Sequence, residues 1–310
     1  MREDKIMYKY RKKLFRGGDA FLLEYDGTYY IYCTTENDTP AFTSDHPYFE
    51  TDKNGEDGIE VHVSKNLIDW ENGGYCLKKG DAFGERWFWA PEVSYYKGRF
   101  YMVYSADEHP AIAVSDSPMG PFKAFTDGPL RKEGSIDGHL LFDDDGSIYL
   151  YFAAFDNGNK IKVARMSDDL TKIEHEYENV LISADEQPWE MKDCRIAEGP
   201  FVLKHKGLYY LTYSANHTRC EDYAVGYAVS EHPYGPFRKY EHNPILHRFD
   251  DIVGTGHHSF APTKDENRYL CVYHCHSGSH VDFKPRMVCI AEAVFEENPD
   301  GGADILTIKQ

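Results

Sequence analysis

The chain has 310 residues, 24 Tyr and 18 Phe among them, and a formal net charge of −18. So acidic a composition excludes a nucleic-acid backbone as partner, since that demands clustered Lys and Arg, and it equally disfavours an anionic membrane surface. No run of about 18 apolar residues occurs, so no membrane-spanning helix is expected.

The N-terminus, Met1-Arg2-Glu3-Asp4-Lys5, lacks the roughly 7–15 apolar residues that a secretory signal carries behind its charged start. Seven cysteines, an odd number at irregular spacing, then read as reduced thiols, and the expected location is cytoplasmic. From residue 21 onward one pattern recurs: an apolar strand, a tight polar turn and a Tyr-rich strand. It occupies residues 21–32, 93–104, 140–151 and 201–212, with a looser fifth copy at 260–271. Asp26-Gly27, Lys97-Gly98, Asp145-Gly146 and Lys206-Gly207 supply the positive φ that such turns need. A third strand of small and β-branched residues follows each hairpin, at 59–64, 111–115, 161–165, 225–230 and 287–291. Two of these run into near-identical segments, Ser117-Pro118-Met119-Gly120-Pro121-Phe122 and His232-Pro233-Tyr234-Gly235-Pro236-Phe237.

Five such units, about 60 residues apart and without a linker, predict an all-β chain forming one five-bladed β-propeller over residues 1–310. An open sandwich is the weaker alternative. The aromatic content suits strands, where flat side chains pack well on a pleated surface.

In a propeller the first strand of each blade lines the axis, so the residues entering each repeat are informative. They are Gly17-Gly18-Asp19-Ala20, Trp89-Ala90-Pro91-Glu92, Ser135-Ile136-Asp137-Gly138-His139, Ile196-Ala197-Glu198-Gly199-Pro200 and Gly254-Thr255-Gly256-His257-His258-Ser259. All five carry an ionisable group. Acids beside apolar strands are costly to bury, so a ring of them suggests a shared polar site. The competing reading is that each acid satisfies backbone groups at a strand start or helps hold a structural ion.

Trp89-Ala90-Pro91-Glu92, Ile136-Asp137-Gly138, Ala197-Glu198-Gly199-Pro200-Phe201 and the Gly254–Ser259 segment, in that order, resemble glycoside hydrolase family 43. The likeness runs from about Asp19 to Arg286. It implies a five-bladed propeller that acts on arabinofuranosides and xylosides by inversion, with a small oligosaccharide as partner. It assigns the general base to Asp19, a modulating aspartate to Asp137 and the general acid to Glu198. The acid must hold its proton near neutral pH, which a negative Asp137 would favour by repulsion. Inversion further requires the base and acid carboxyls to stand about 6.5–9.5 Å apart, leaving room for water. The family commonly flanks its base as Arg-Asp-Pro, whereas this chain reads Gly18-Asp19-Ala20; Asp4 and Asp26 are the competing candidates, the first too far upstream and the second in a hairpin turn.

By the same resemblance His257 stands near a central metal, usually calcium, and Arg286 reaches the sugar site from blade five. Histidine is a poor calcium ligand, so water would complete the shell. The chemistry itself needs no cofactor, and one structural calcium at His257 is left open. Trp89 either stacks on the sugar or packs between blades.

Three other signals are discounted. His274, Cys275 and His276 with Cys271 and His280 look like a zinc cluster, yet strand alternation puts the cysteines on one face and His274 and His276 on the other. Gly254-Thr255-Gly256 lacks the remaining glycine and the helix of a dinucleotide fingerprint. Asp143-Asp144-Asp145 reads as a solvated hairpin turn.

The expected function is an exo-acting glycosidase of imported oligosaccharides, with insertions at 37–58 and 73–88 walling one end of the funnel. A fructoside-cleaving relative and a non-catalytic carbohydrate-binding propeller are the alternatives.

Overall fold

The computed structural model describes residues 13–36, 57–278 and 285–310. Asp4, His280 and all of the 37–58 insertion except its last two residues lie outside them. The described residues form five antiparallel sheets, four of four strands and one of five, each built from strands consecutive in the chain. This is the five-bladed propeller. Its inner strands are Gly18–Tyr25, Trp89–Tyr96, Ser135–Phe142, Ala197–His205 and Gly256–Pro262.

The apolar core is divided among the gaps between blades. Tyr32, Val61, Val93 and Met102 pack between blades one and two, and Val103, Ile112, Leu140 and Leu150 between two and three. Leu22, Ile31, Val272 and Ile290 close the gap between blades one and five. The ring is also closed through the backbone, because Leu14 N donates to Val288 O and Gly17 N to Arg286 O. The N-terminal segment thus clips onto blade five.

Much of the tyrosine content ties one blade to the next. Tyr32 Oη donates to Pro118 O and Tyr151 Oη to Pro233 O, both at 2.6 Å. That is the structural use of the two near-identical Pro-x-Gly-Pro segments: each presents a carbonyl to the preceding blade.

Two expectations change. Residues 73–78 are not an insertion but part of the outer strand of blade one, Glu71–Lys78. Asp143 is not solvated; its side chain is 4% exposed, with its carboxylate 2.5 Å from Lys204 Nζ. Tyr209 Oη donates to it at 2.6 Å. It pins blade three to blade four.

Every inner strand begins with the same irregularity. Pairing slips between Gly18 and Phe21, Trp89 and Glu92, Ile136 and His139, Glu198 and Phe201, and Gly256 and Ser259. Within each slip one residue turns left-handed: Asp19 (φ 51°), Ala90 (47°), Asp137 (60°), Gly199 (56°) and His257 (45°). Four of these are not glycine, and such backbone costs about 1–3 kcal/mol per residue unless its surroundings hold it.

Candidate active site

A ring of hydrogen bonds between blades supplies that hold. Ala90 N donates to Thr34 Oγ1 (3.0 Å), Asp137 N to Ser105 Oγ (2.9 Å), His257 N to Ser214 Oγ (2.8 Å) and Asp19 N to His274 Nδ1 (3.1 Å). The acceptors stand at equivalent places on the second strands, paired with Gly18, Trp89, Glu198 and Gly256. Blade three has Ala153 at this place, paired with Ile136, and alanine has nothing to offer. Gly199 N donates instead to Asp137 Oδ2 at 3.0 Å. Asp137 therefore takes over the missing link, and anchors the backbone beside Glu198.

Asp19, Trp89, Asp137, Glu198, His257 and Arg286 all line one cavity of about 230 Å³, together with Asn159, His217 and Thr218. The acid of the blade-two entrance does not reach it. Glu92 stands beyond the blade-two slip and bonds His139 Nδ1 at 2.7 Å, while His139 Nε2 accepts from Val202 N. Blade two offers Ala90 at the left-handed position, so the ring of ionisable entrances is incomplete. Asp26 lies in the first hairpin turn and is exposed.

Asp19 is buried among donors. Arg286 Nη1 donates to its Oδ1 at 2.7 Å and Thr34 Oγ1 to its Oδ2 at 2.7 Å. His257 Nδ1 stands 3.2 Å from Oδ1. Burial alone would raise the pKa of this carboxyl, but the Arg286 guanidinium, His257, His274 and the Thr34 hydroxyl together hold it well below the carboxylate range. Asp19 stays ionised.

Glu198 is buried with fewer donors. Tyr223 Oη donates to Oε1 at 2.9 Å and Asn159 Nδ2 to Oε2 at 3.2 Å. Burial pushes its pKa up to about 7, with the Asp19 charge adding to the rise and Tyr223 opposing it. The expected repulsion from Asp137 is thus not the leading cause; desolvation is. Asp137 is itself raised to about 7, again by burial first, against the pull of His257 and with the push of Glu198 and Asp19. One carboxylate and two near-neutral carboxyls share a cavity. A base and an acid can work there together.

The family model for glycosyl hydrolases family 43 matches residues 15–301. The chain belongs to this family. A β-xylosidase of Xylanibacter ruminicola is 30% identical over 81% of this chain and 85% of its own length. An arabinoxylan arabinofuranohydrolase of Paenibacillus polymyxa is 29% identical over 85% of this chain, which spans 45% of that protein. Among solved structures, an endo-1,4-β-xylanase of Bacteroides thetaiotaomicron superposes with a TM-score of 0.80 at 37% identity, covering 97% of both chains.

In this family 43 hydrolase the departure from Arg-Asp-Pro has a steric counterpart. A Cβ at Gly18 would stand 2.1 Å from Cζ of Arg286. Glycine leaves the guanidinium room to reach Asp19. Gly18→Ala is expected to displace Arg286, cost about 1–3 kcal/mol of stability and lower kcat/KM; thermal unfolding and steady-state kinetics measure the two effects.

Four supporting residues escaped the sequence reading. Glu36 is fully buried and accepts from Arg286 N, at 3.0 Å, and from Arg286 Nε, at 2.8 Å. It fixes the arginine that fixes Asp19. Tyr223 and Asn159 hold Glu198, and no local motif marks either. His274 was visible only as part of the discounted zinc cluster. Alternation does place it opposite the cysteines: Nδ1 accepts from Asp19 N and Nε2 stands 3.0 Å from Thr218 Oγ1. Cys275 Sγ meanwhile lies 3.4 Å from Cys289 Sγ, and all seven cysteines are free.

Calcium takes six to eight oxygen ligands. His257 offers a nitrogen whose neighbours are the Asp19 and Asp137 carboxylates, at 3.2 and 3.9 Å. Among the described residues no group of three or more His, Cys, Asp or Glu could hold an ion. These side chains do not fit a protein-caged calcium at His257.

Proposed function

We propose that the chain is an inverting, exo-acting glycosidase that releases terminal L-arabinofuranose or D-xylose from short plant-derived oligosaccharides. The observation that carries this reading is a pair of carboxyls in one cavity with opposed surroundings: the Arg286 guanidinium and the Thr34 hydroxyl bond Asp19 and hold its pKa low, while burial with fewer donors raises that of Glu198 to about 7. Asp19, ionised, acts as general base and takes the proton of the attacking water. Glu198, protonated, gives its proton to the leaving oxygen. They sit on non-adjacent blades, one and four, which favours a gap for water over direct attack by Asp19.

Asp137 acts as a positioning residue through Gly199 N, and Arg286, itself fixed by Glu36, holds Asp19. Trp89 is stacked on Trp87 with ring centroids 5.5 Å apart, and Trp87 is backed by the Arg86 guanidinium at 3.8 Å. That braced indole suits the flat face of a sugar. The cavity of about 230 Å³ is below the roughly 300–1,000 Å³ of drug-sized sites, which supports a single terminal pentose. Relatives named for xylosides and for arabinofuranosides both support a pentose. The reaction needs only water and these side chains, and the free cysteines agree with a cytoplasmic location.

The test is chromatography of the products from xylo- and arabino-oligosaccharides. A single pentose released from chain ends is expected; only internal cleavage, or no release from either series, overturns the reading. A pH profile adds a second check. Because the proton on Glu198 is required and its pKa is about 7, kcat/KM should fall as pH rises through 7, approaching about tenfold per pH unit.

A further inference from the structure

We propose that Phe155 and the hollow beside it bind the leaving-group sugar, a xylopyranosyl ring on the far side of the scissile bond. This rests on the glycosidase reading above and extends it to the second half of the substrate. Phe155 ends the second strand of blade three, Ile148–Phe155, and is 44% exposed. Of the large hydrophobic side chains exposed among the described residues, it is the one that lines the active-site cavity. Glu108, Phe155 and Asn159 border both that cavity and a second hollow of about 380 Å³, completed by Asp156, Asn157 and Gly158. These three residues form a wall common to the two spaces.

The position of this common wall relative to the two carboxyls decides what occupies the hollow. A general acid must stand beside the leaving oxygen, so the departing sugar lies on the Glu198 side of the cavity. Asn159, which donates to Glu198 Oε2, is also one of the three residues that border the second hollow as well as the first. Neither Asp19 nor Glu198 borders the second hollow, but of their bonded neighbours Asn159 on Glu198 does, while Arg286, Thr34 and His257 on Asp19 do not. The base and its water therefore occupy one side, and the exit past Phe155 belongs to the leaving group.

The chemistry of the hollow fits a pyranose. An exposed aromatic ring bordered by a carboxylate and an asparagine offers an apolar surface for C–H groups and polar atoms for hydroxyls, the usual make-up of a ligand site. A xylopyranose with equatorial hydroxyls presents flat C–H faces to such a ring. The ring is also seated: a Cβ at Gly134 would come within 2.8 Å of Phe155 Cδ2, so the backbone of Gly134 supports it directly.

The experiment compares Phe155→Ala and Phe155→Trp with the wild type on two substrates carrying the same terminal pentose. One has a xylopyranosyl leaving group; the other is the glycosyl fluoride, which has no leaving-group ring. Phe155→Ala should lower kcat/KM on the first by about tenfold, chiefly through KM, and leave the fluoride within about twofold. Phe155→Trp should restore most of the loss. Equal loss on both substrates, or no loss on the first, overturns the subsite. A wild type inert on both overturns the glycosidase reading and the subsite with it, a result distinct from an active enzyme indifferent to Phe155.

Discussion

Glu198→Gln should slow hydrolysis of glycosides with sugar leaving groups by about 10²–10⁴-fold, while leaving groups that depart unprotonated, such as dinitrophenolate, should suffer far less. The amide keeps the shape of the side chain and can still accept from Tyr223, but it has no proton to give. The pattern across leaving groups therefore identifies the acid better than the size of any single loss. Equal loss on both classes would remove Glu198 from that role. The variant should also change how stability depends on pH. A carboxyl raised in the folded state stabilises fully below its unfolded pKa of 4.5, and that contribution is lost as pH rises through its folded value of about 7. At about 1.4 kcal/mol per pH unit, the wild type gives up roughly 3 kcal/mol through this group between acid and alkaline pH. Glu198→Gln should not, and denaturant unfolding at pH 5 and pH 8 compares the two slopes.

Asp19→Asn should be the more damaging change. Without a base to take the proton of water, rates should fall about 10²–10⁴-fold on natural and activated glycosides alike, because the water must be activated whatever the leaving group. Removing one partner of a buried ion pair costs about 3–5 kcal/mol, and the lower end applies because Glu36 still pairs with Arg286. The pH sign is opposite to that of Glu198. Asp19 is depressed in the fold, so its contribution is present above its unfolded pKa of 3.8 and lost as pH falls below it. Acid unfolding should find wild type and variant converging as the pH drops below about 4. A variant as active as the wild type on activated substrates would move the base elsewhere.

The blades were legible because each repeats a local signal: alternating apolar residues broken by Asp-Gly or Lys-Gly. The third strands at 59–64, 111–115, 161–165, 225–230 and 287–291 all fall within observed strands for the same reason. The outer strand Glu71–Lys78 was missed because its pairing slips twice against Gly58–Ser64, and a slipped strand shows no clean alternation. Asp143 was misread because its partners, Lys204 and Tyr209, lie some sixty residues on.

At the site, Asp19, Trp89, Asp137, Glu198 and His257 were readable from where they enter the repeats, and Glu92 shows the limit of that reading. Three residues past Trp89 is on the other side of the slip, whose left-handed residue Ala90 is held by Thr34 on the neighbouring blade. Glu36, Asn159 and His274 act across blades as well, and Tyr223 reaches Glu198 from the far side of its own blade, 25 residues on. A single sequence carries no local trace of such pairings. The handover from Ala153 to Asp137 becomes visible only once all five blades are aligned in space.

The most direct test of the account is a proton NMR time course of the anomer first released by the wild type from a substrate it cleaves. The first-formed pentose should have the anomeric configuration opposite to that of the bond broken, with the other anomer appearing only as mutarotation proceeds. First appearance of the retained anomer would mean that a carboxylate attacks the sugar itself, and would contradict the pairing of Asp19 as base with Glu198 as acid.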